Sequence, residues 1–242
     1  MKRLIIIFIA TISLFSCKSE DQALPATGTI CVINAVTDAG AIKVNSSAKN
    51  IAWSSQTTTT AYLARGFYYA TEGNPNLIVV PALDTNAILF NASRAIKSKV
   101  YTMYLSGTKV AVDTIFREEI DFPYIVTDVR IPSSADSVVN VRFVNLSIGS
   151  PALKIKLATG TGNEADNLPY KGISTWKGYP ARLATTVYSF QVRNAATDAL
   201  ITTFNFSATA TNRFKSVALL IRGVFGTTTG SATFGVTAVN YF

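Results

Sequence analysis

The chain lacks the pairs of side chains that usually supply an activated nucleophile. Its only cysteines are Cys17 and Cys31, and it contains no histidine. A hydroxyl or thiol nucleophile usually relies on a histidine to accept its proton, and histidine is also the commonest metal ligand. Cys31 lies in the apolar segment 29–33, where we expect a buried and unreactive thiol. The sequence therefore predicts a non-enzymatic protein that carries no metal and no other cofactor.

Cys17 stands where an exported protein would lose a leader peptide. Two basic residues are followed by residues 4–15, which carry no charge and are mostly apolar, and then by the small residue Ser16. A helix of that length covers roughly 18 Å, well short of the roughly 30 Å hydrocarbon core of a bilayer. The pattern therefore predicts a signal peptide over residues 1–16 instead of a membrane span.

The same segment resembles the signal of bacterial lipoproteins, in which the cysteine after the cleavage site is acylated. The polar, acidic stretch 18–21 is similar to the export signal of Bacteroidota lipoproteins, which directs them to the outer face of the outer membrane. The resemblance implies a flexible tether over 17–28, with the membrane bound through lipid on Cys17 and the protein facing the cell surface. One acyl chain gives only marginal binding, so firm anchoring requires more than one. An ordinary secretory leader with a chance cysteine is the alternative.

The charge of the chain does not indicate nucleic-acid binding. Lysine and arginine number 22 against 14 acidic residues, and the basic residues are scattered along the sequence. A basic arm or patch that binds nucleic acid requires clustered like charges, and no run of five or more occurs. We therefore expect no nucleic-acid partner.

The remainder of the sequence predicts strands. Short runs rich in valine, isoleucine, threonine, tyrosine and phenylalanine alternate with clusters of glycine, proline, asparagine and aspartate. No stretch of ten or more residues shows a helical period. Many short strands separated by turns predict an all-β fold made of sandwiches.

Two parts of the chain resemble each other in order. Segment 30–44 aligns with 141–155, which places Asn34 on Asn145. Further matches pair 50–53 with 167–170, 62–65 with 179–182, 90–91 with 204–205, and 101–107 with 217–223. Ordered matches at a nearly constant spacing indicate two copies of one β-unit, at 29–130 and 138–242, joined by a linker at 131–137 that contains proline and serine.

The second copy carries a resemblance to a known family. The strand at 141–147 and the turn that ends in Pro-Ala-Leu-Lys-Ile at 151–155 are similar to the opening of DUF4397 domains. These domains often occur in tandem in bacterial surface and secreted proteins. The resemblance implies two tandem immunoglobulin- or transthyretin-like antiparallel β-sandwiches. The family is named for having no assigned function, so the resemblance implies no chemistry.

Aromatic residues of the second copy form a candidate ligand site. Trp176 and Tyr179 flank a glycine near Tyr170, and exposed rings there could stack on a sugar. Burial of these large rings in a core is the alternative. Tyr179 and Arg182 also recur in pattern at 62–65, as a candidate surface site for an acidic group, or as a packed tyrosine with an arginine paired to a nearby carboxylate.

Other polar positions have simpler predicted roles. Asn34 and Asn145 each end a strand, and we expect their side chains to cap the following turn. The glycine-rich segment 159–167 reads as a solvated loop that has too few alternating oxygen ligands for calcium. Glu118 and Glu119 are adjacent in a strand and should point to opposite faces, so we expect no paired carboxylates there.

Two short motifs resemble the O-glycosylation motif of exported Bacteroidota proteins. They are Asp113-Thr114-Ile115 and Asp136-Ser137-Val138. Ser137 lies in the predicted linker, where a modifying enzyme could reach it, so it is the better candidate of the two acceptors, Thr114 and Ser137.

These observations predict an outer-membrane surface lipoprotein that binds or presents an unknown ligand or organises the envelope. One alternative is a glycan-binding component of a polysaccharide-uptake system. Another is a fimbrial, pilin-like subunit that assembles by strand exchange. The expected partners are the membrane and either a glycan or another envelope protein.

Overall fold

The structure, a computed structural model, describes residues 25–47, 49, 51–121, 137–181 and 184–241. Cys17 with its predicted leader, Arg182 and most of the predicted linker lie outside the described residues. Within these residues no helix is long and apolar enough to cross a membrane. Short 3₁₀ turns occur at Trp53–Ser55 and Ala210–Asn212.

The described residues fold into fifteen strands, which confirms the predicted all-β class. The first seven are β1 (Thr27–Asn34), β2 (Ile42–Asn45), β3 (Arg65–Thr71), β4 (Asn76–Pro81), β5 (Phe90–Ser93), β6 (Val100–Thr108) and β7 (Ala111–Glu118). The others are β8 (Val138–Asn145), β9 (Leu153–Leu157), β10 (Asn163–Leu168), β11 (Lys177–Pro180), β12 (Thr186–Asn194), β13 (Leu200–Ala208), β14 (Ser216–Arg222) and β15 (Gly235–Asn240).

The strands form four sheets that pair into two sandwiches. In the first sandwich, sheet β3-β1-β6-β7 faces sheet β2-β4-β5; in the second, sheet β11-β8-β14-β15 faces sheet β10-β9-β12-β13. The expectation of antiparallel sheets is right for most pairs and wrong for two, because β1 pairs with β6, and β8 with β14, in parallel. Each parallel pair is reached through strands that cross to the facing sheet and back, which gives the long connection that parallel pairing requires.

Strand alternation builds a separate core in each sandwich. In β1, Ile30 and Val32 point into the first core, where they meet Leu77 and Val79 of β4. The second core is built in the same way from the facing sheets of the second sandwich, with Phe143 and Phe190 among its members. The period of two therefore accounts for both cores.

A third apolar cluster joins the two sandwiches. Cys31, Ile33, Ala35 and Tyr104 of the first sandwich are buried together with Val144, Leu146, Ala218, Leu220, Val239 and Tyr241 of the second. The two central sheets therefore bury both of their faces, and the four sheets are stacked in series. Cys31 is fully buried, as predicted, and burial raises the pKa of its thiol to about 12.

The pairing registers place the two copies in correspondence. β3 lies beside β1 as β11 lies beside β8, and β6 lies beside β1 as β14 lies beside β8. Because Ile30 aligns with Val141 in sequence, their partners Tyr101 and Val217 occupy equivalent positions. The sequence match of 101–107 with 217–223 agrees with this register.

The predicted matches of 62–65 with 179–182 and of 50–53 with 167–170 are wrong. Tyr179 lies opposite Val139, and the equivalent position in the first copy, opposite Gly28, is held by Ala70 and not by Tyr62. The connection from β2 to β3 and the connection from β9 to β11 follow different courses, because only the second contains a strand, β10. The similarity of residues 62–65 to residues 179–182 is therefore a coincidence and does not reflect equivalent positions in the two copies.

Tyr62 corresponds instead to Tyr170. The residue after each has a left-handed backbone, with φ of 58° at Leu63 and 66° at Lys171. Leu63 donates its N–H to the carbonyl of Asn34, and Lys171 donates to the carbonyl of Asn145. The two turns are therefore the same structural feature.

Candidate functional site

A buried ion pair lies at the centre of the interface between the sandwiches. Arg142 of β8 points towards the first sandwich, and none of its surface is exposed. Its Nη1 donates to Glu119 Oε2 at 2.9 Å, and its Nη2 donates to Oε1 at 2.6 Å. Glu119 directly follows β7, so the pair joins the two sandwiches in the bidentate geometry that makes arginine–carboxylate contacts strong.

Aromatic residues enclose this pair. Nη2 of Arg142 also donates to the hydroxyls of Tyr104 and Tyr241, each at 2.6 Å, and these hydroxyls bond to each other. The guanidinium carbon lies 4.4 Å from the ring centroid of Trp176, which packs edge-on against Tyr241. The two terminal nitrogens of the guanidinium therefore contact a carboxylate and two hydroxyls, and its plane lies over the electron-rich face of the indole ring, while Nε has no hydrogen-bond partner in the described part of the chain.

The electrostatics keep this cluster ionised. Burial alone would raise the pKa of Glu119, but the hydrogen bonds and charge of Arg142 more than offset this, and the pKa lies below its ordinary value. Burial raises the pKa of Tyr104 to about 12, so its hydroxyl is neutral at pH 7. The cluster therefore holds one positive and one negative charge away from water.

Each member of the ion pair has a counterpart at the interface in the other copy. Arg142 stands where the first copy has Cys31, by the same spacing that relates Asn145 to Asn34. Glu119 follows β7 as Tyr241 follows β15, since Glu118 lies opposite Tyr101 and Asn240 lies opposite Val217. Equivalent positions of the two copies therefore face the interface from opposite sides, but they carry different side chains.

Two equivalent tyrosines repeat this reciprocity at the rim. Tyr62 donates to the carbonyl of Ser231 at 2.8 Å and lies beside Arg222. Tyr170 donates to Asp113 Oδ2 at 3.0 Å and bonds Ser106 at 3.1 Å, and Ser106 is the equivalent of Arg222. Each copy therefore uses the same surface against the other, as in the isologous interface of a symmetric dimer.

Tyr179 is a core residue. Only 3% of its surface is exposed, and its ring packs edge-on against Phe190 and Tyr188. Its hydroxyl bonds to Glu164, and burial together with that carboxylate raises the pKa of Tyr179. A ring in this position cannot stack on a sugar, so the packing alternative describes Tyr179.

The other predicted aromatic residues lie at the interface. Trp176 and Tyr170 are both half-buried; Trp176 contacts Arg142, and Tyr170 contacts Asp113. The structure brings them to the same interface but does not form an exposed platform from Trp176, Tyr170 and Tyr179. Arg182, the fourth residue of that hypothesis, lies outside the described residues.

The two strand-end asparagines cap turns, as predicted. The Oδ1 of Asn34 accepts the N–H of Val36 at 3.2 Å, and that of Asn145 accepts the N–H of Ser147 at 3.1 Å. Their side-chain amides donate to the carbonyls of Thr60 and Leu168. Both therefore hold the end of a central strand to the segment that leads into the next turn.

The two candidate glycosylation sites differ in setting. Thr114 lies within β7 and is half-buried, and the carboxylate of its neighbour Asp113 is held by Tyr170 and Lys171. Ser137 is half-buried directly before β8, and Asp136 of its motif lies outside the described residues.

The carboxylates form no metal centre in the described part of the chain. It contains no group of three or more histidine, cysteine, aspartate or glutamate residues that could hold a metal ion. Glu118 and Glu119 separate as expected, with Glu118 on the surface at 2.6 Å from Lys99. The expected loop at 159–167 is wrong from Asn163 onward, because β10 forms there by pairing with β9.

Arg142 and Glu119 were not predicted as a pair. Arg142 lies in a strand of mostly apolar residues and aligns with Cys31, a position expected to be buried. A charged residue aligned with a buried position was the available signal. Its partner depends on how the two sandwiches pack, which the alignment does not specify.

Compared with known proteins, the chain matches no family model, and no curated protein is significantly similar to it. The resemblance to DUF4397 domains therefore stays a prediction from the residues quoted above.

The ion pair predicts a pH-dependent contribution to stability. A carboxyl whose pKa is lowered on folding stabilises the fold above its ordinary pKa of 4.5, and this contribution is lost as the pH falls through the folded value. We expect the difference in unfolding free energy between the wild type and Glu119→Gln to be largest near neutral pH and to shrink below pH 4.5. Urea unfolding at pH 7, 5, 4 and 3 measures this. A difference that grows with acidification would contradict it.

Proposed function

We propose that the chain is a non-enzymatic lipoprotein of the outer-membrane surface, built from two DUF4397-like sandwiches and anchored through acylated Cys17. Its role is to bind or present a ligand at the surface. The observation that carries this proposal is the buried interface, because it makes a single presented unit of both sandwiches. A tether attached to the first sandwich then also carries the second.

The length of the tether supports a position close to the membrane. β1 begins at Thr27, ten residues after Cys17. Ten fully extended residues span at most about 35 Å. A lipid on Cys17 would therefore hold the first sandwich within a few tens of ångströms of the bilayer surface, with its loops accessible to large molecules outside the cell.

The position of β1 disfavours the fimbrial alternative. Strand exchange requires an edge or a releasable strand, and β1 lies between β3 and β6 with side chains buried on both faces. Releasing it would open the first core and the interface together. The glycan-binding alternative is favoured by a cleft in the first sandwich, described below.

Cys17→Ala tests the anchor. In cells fed radioactive palmitate, we expect the wild type to carry the label and to sediment with membranes, and the variant to lose both properties. Cys31→Ala is the matched control, because it removes the other thiol and leaves Cys17 in place.

Protease added to intact cells then tests the surface position, and it should degrade the wild type before the cells are broken. A label retained in Cys17→Ala, or absent from the wild type, would overturn the anchor. Full protection of the labelled protein in intact cells would overturn the surface location alone.

A further inference from the structure

A cleft opens at the edge of the first sandwich, between β2 of one sheet and β3 of the other. Its volume is about 290 Å³, and Val44, Ile51 and Tyr68 supply its apolar contacts. Eight of its ten lining residues, Tyr68 among them, carry hydroxyl or primary amide side chains, and none of the ten is charged. The lining is more polar than that of most small-molecule sites, which are predominantly apolar, so it suits a ligand that is itself rich in hydroxyl groups.

The equivalent edge of the second sandwich is built differently. There β10 pairs along β9, which is the counterpart of β2, and the ring of Tyr179 packs into the core behind it. In the first sandwich, the chain meets β2 only at the bridge between Ile42 and Thr60, and Ala70 stands in place of Tyr179. The two copies therefore differ at this edge: among the described residues, the first copy has neither a strand paired as β10 is nor a ring at the position of Tyr179.

Hydrogen bonds to side chains and to the backbone hold the walls of the cleft in place. The hydroxyl of Tyr68 bonds that of Thr60 at 2.8 Å, which fixes the aromatic ring. Ser46 donates its hydroxyl to the carbonyl of Tyr69 at 2.8 Å, and Asn45 Oδ1 accepts the N–H of Ser47 at 3.0 Å. A ligand would therefore meet a largely preformed surface, which reduces the entropy cost of binding.

Three side chains on one wall remain available to a ligand. Gln56, Thr57 and Thr58 line the cleft, and within the part of the chain that the structure describes their side chains make no hydrogen bond to protein. An amide and two hydroxyls offer both donors and acceptors without charge. They match a ligand whose hydroxyls also donate and accept, while the apolar residues match the C–H face of a ring.

We propose that this cleft binds a neutral sugar, as one or two rings of an uncharged glycan. Its volume lies just below the range of roughly 300–1,000 Å³ that is usual for small-molecule sites, which suits a ligand of that size. An anionic sugar would bring its charge to a wall that has no cation to pair with it, and it would lose hydration without compensation. The inference gives a ligand class to the binding role proposed above and rests on that role.

Calorimetric titration of the purified chain tests the proposal. The protein is taken as cells process it, in a detergent without a sugar headgroup, and titrated with glucose, galactose, mannose, N-acetylglucosamine and their β-linked disaccharides. Glucuronic and galacturonic acids serve as charged comparisons. We expect saturable binding of at least one neutral sugar and at least tenfold weaker binding of the corresponding uronic acid.

Variants of the free wall locate the site. We expect Gln56→Ala and Thr58→Val each to weaken the binding of that sugar at least threefold, and the double variant at least tenfold. Thr203→Val, which removes a hydroxyl from β13 in the second sandwich, should leave the affinity unchanged. All of these positions are on the surface, so thermal unfolding should be unaltered and should separate a lost site from a lost fold.

Several outcomes would overturn the cleft as a sugar site. The first is that no neutral sugar binds even at a concentration tenfold above the roughly millimolar dissociation constants of weak ligands. The second is that the uronic acids bind as tightly as the neutral sugars. The third is that the Gln56→Ala/Thr58→Val double variant has the affinity of the wild type. The titration does not depend on lipid, so sugar binding can be found even if palmitate labelling fails. Equally, labelling can succeed even if no sugar binds. The anchor and the sugar site are therefore tested separately.

Discussion

Replacing Glu119 with leucine should lower the free energy of unfolding by about 3–5 kcal/mol. The guanidinium of Arg142 has no exposed surface, and Glu119 supplies its only carboxylate within hydrogen-bonding distance in the described structure. Without that carboxylate, the positive charge stays buried beside two neutral hydroxyls and an indole ring. Urea unfolding followed by tryptophan fluorescence at pH 7 measures the loss, because Trp176 lies against the guanidinium.

Two comparisons make this result specific to the buried charge. Glu118→Leu changes the adjacent residue, whose salt bridge with Lys99 is on the surface, and should alter stability little. The double variant Glu119→Leu/Arg142→Met removes both charges and should recover most of the loss, since well-packed apolar residues often replace a buried pair without cost. If Glu119→Leu were no more destabilising than Glu118→Leu, the ion pair would not hold the two sandwiches together.

The buried ion pair restricts how the two sandwiches can pack against each other. Apolar residues alone could pack two similar sheets in more than one relative position. Glu119 also lies 3.6 Å from Nε of Arg117 in its own copy, whereas Arg142 contacts no carboxylate other than Glu119 in the described structure. The pair therefore selects the observed packing against alternatives that would leave Arg142 buried and unpaired.

Much of the fold could be predicted because its strands follow simple patterns. The period of two in β1 and β8 separates the residues that face each core from those that face the interface. The strand β14, with Val217, Ala218, Leu219, Leu220 and Ile221 in succession, reads as apolar on both faces. Such a run is typical of a strand covered on both sides, and it carried a signal for the third apolar cluster.

Other elements depend on contacts that no local pattern contains. β10 is a strand of mostly polar residues, and it forms because β9 offers a free edge beside it. Tyr179 was assigned to the wrong counterpart because the connections before β3 and β11 follow different courses. The pairing register of β11 with β8 corrects this, and only the folded chain provides that register.

The candidate sites show the same division. The capping role of Asn34 and Asn145 is local and followed from the sequence. The contact of Arg142 with Glu119 joins residues on either side of the segment between the copies, and it exists only when the sandwiches pack. The sequence gives no signal for the cleft in the first sandwich, because its serine and threonine residues are ordinary for a surface segment. It becomes apparent in the folded chain, where the equivalent edge of the second sandwich is covered by β10.

Replacing Gly223 with alanine should lower the free energy of unfolding strongly, although the change adds only one methyl group. Gly223 directly follows β14 and has a φ of +86°, a conformation that costs any other residue about 1–2 kcal/mol. A Cβ at this position would lie 2.2 Å from the carbonyl oxygen of Thr233 and 2.7 Å from that of Ala232. These atoms belong to the backbone and cannot move aside as a side chain could, so overpacking should add about 1–3 kcal/mol.

A second glycine in the same loop separates the two costs. Gly230 also has a positive φ, of +74°, but a Cβ there would meet no atom within 4 Å. Gly230→Ala should therefore cost only the conformational part, and Gly223→Ala should be the more destabilising by about 1–3 kcal/mol in urea unfolding. Gly107, the counterpart of Gly223 in the first copy, has the same left-handed backbone, and its Cβ would lie 2.2 Å from the carbonyl of Ala111. If Gly223→Ala and Gly230→Ala lowered the free energy of unfolding equally, the backbone around Gly223 would have to move to accommodate the added methyl group, which would contradict the prediction. Large and similar losses of unfolding free energy for Gly107→Ala and Gly223→Ala would show that both copies require the same tight turn after their central strands.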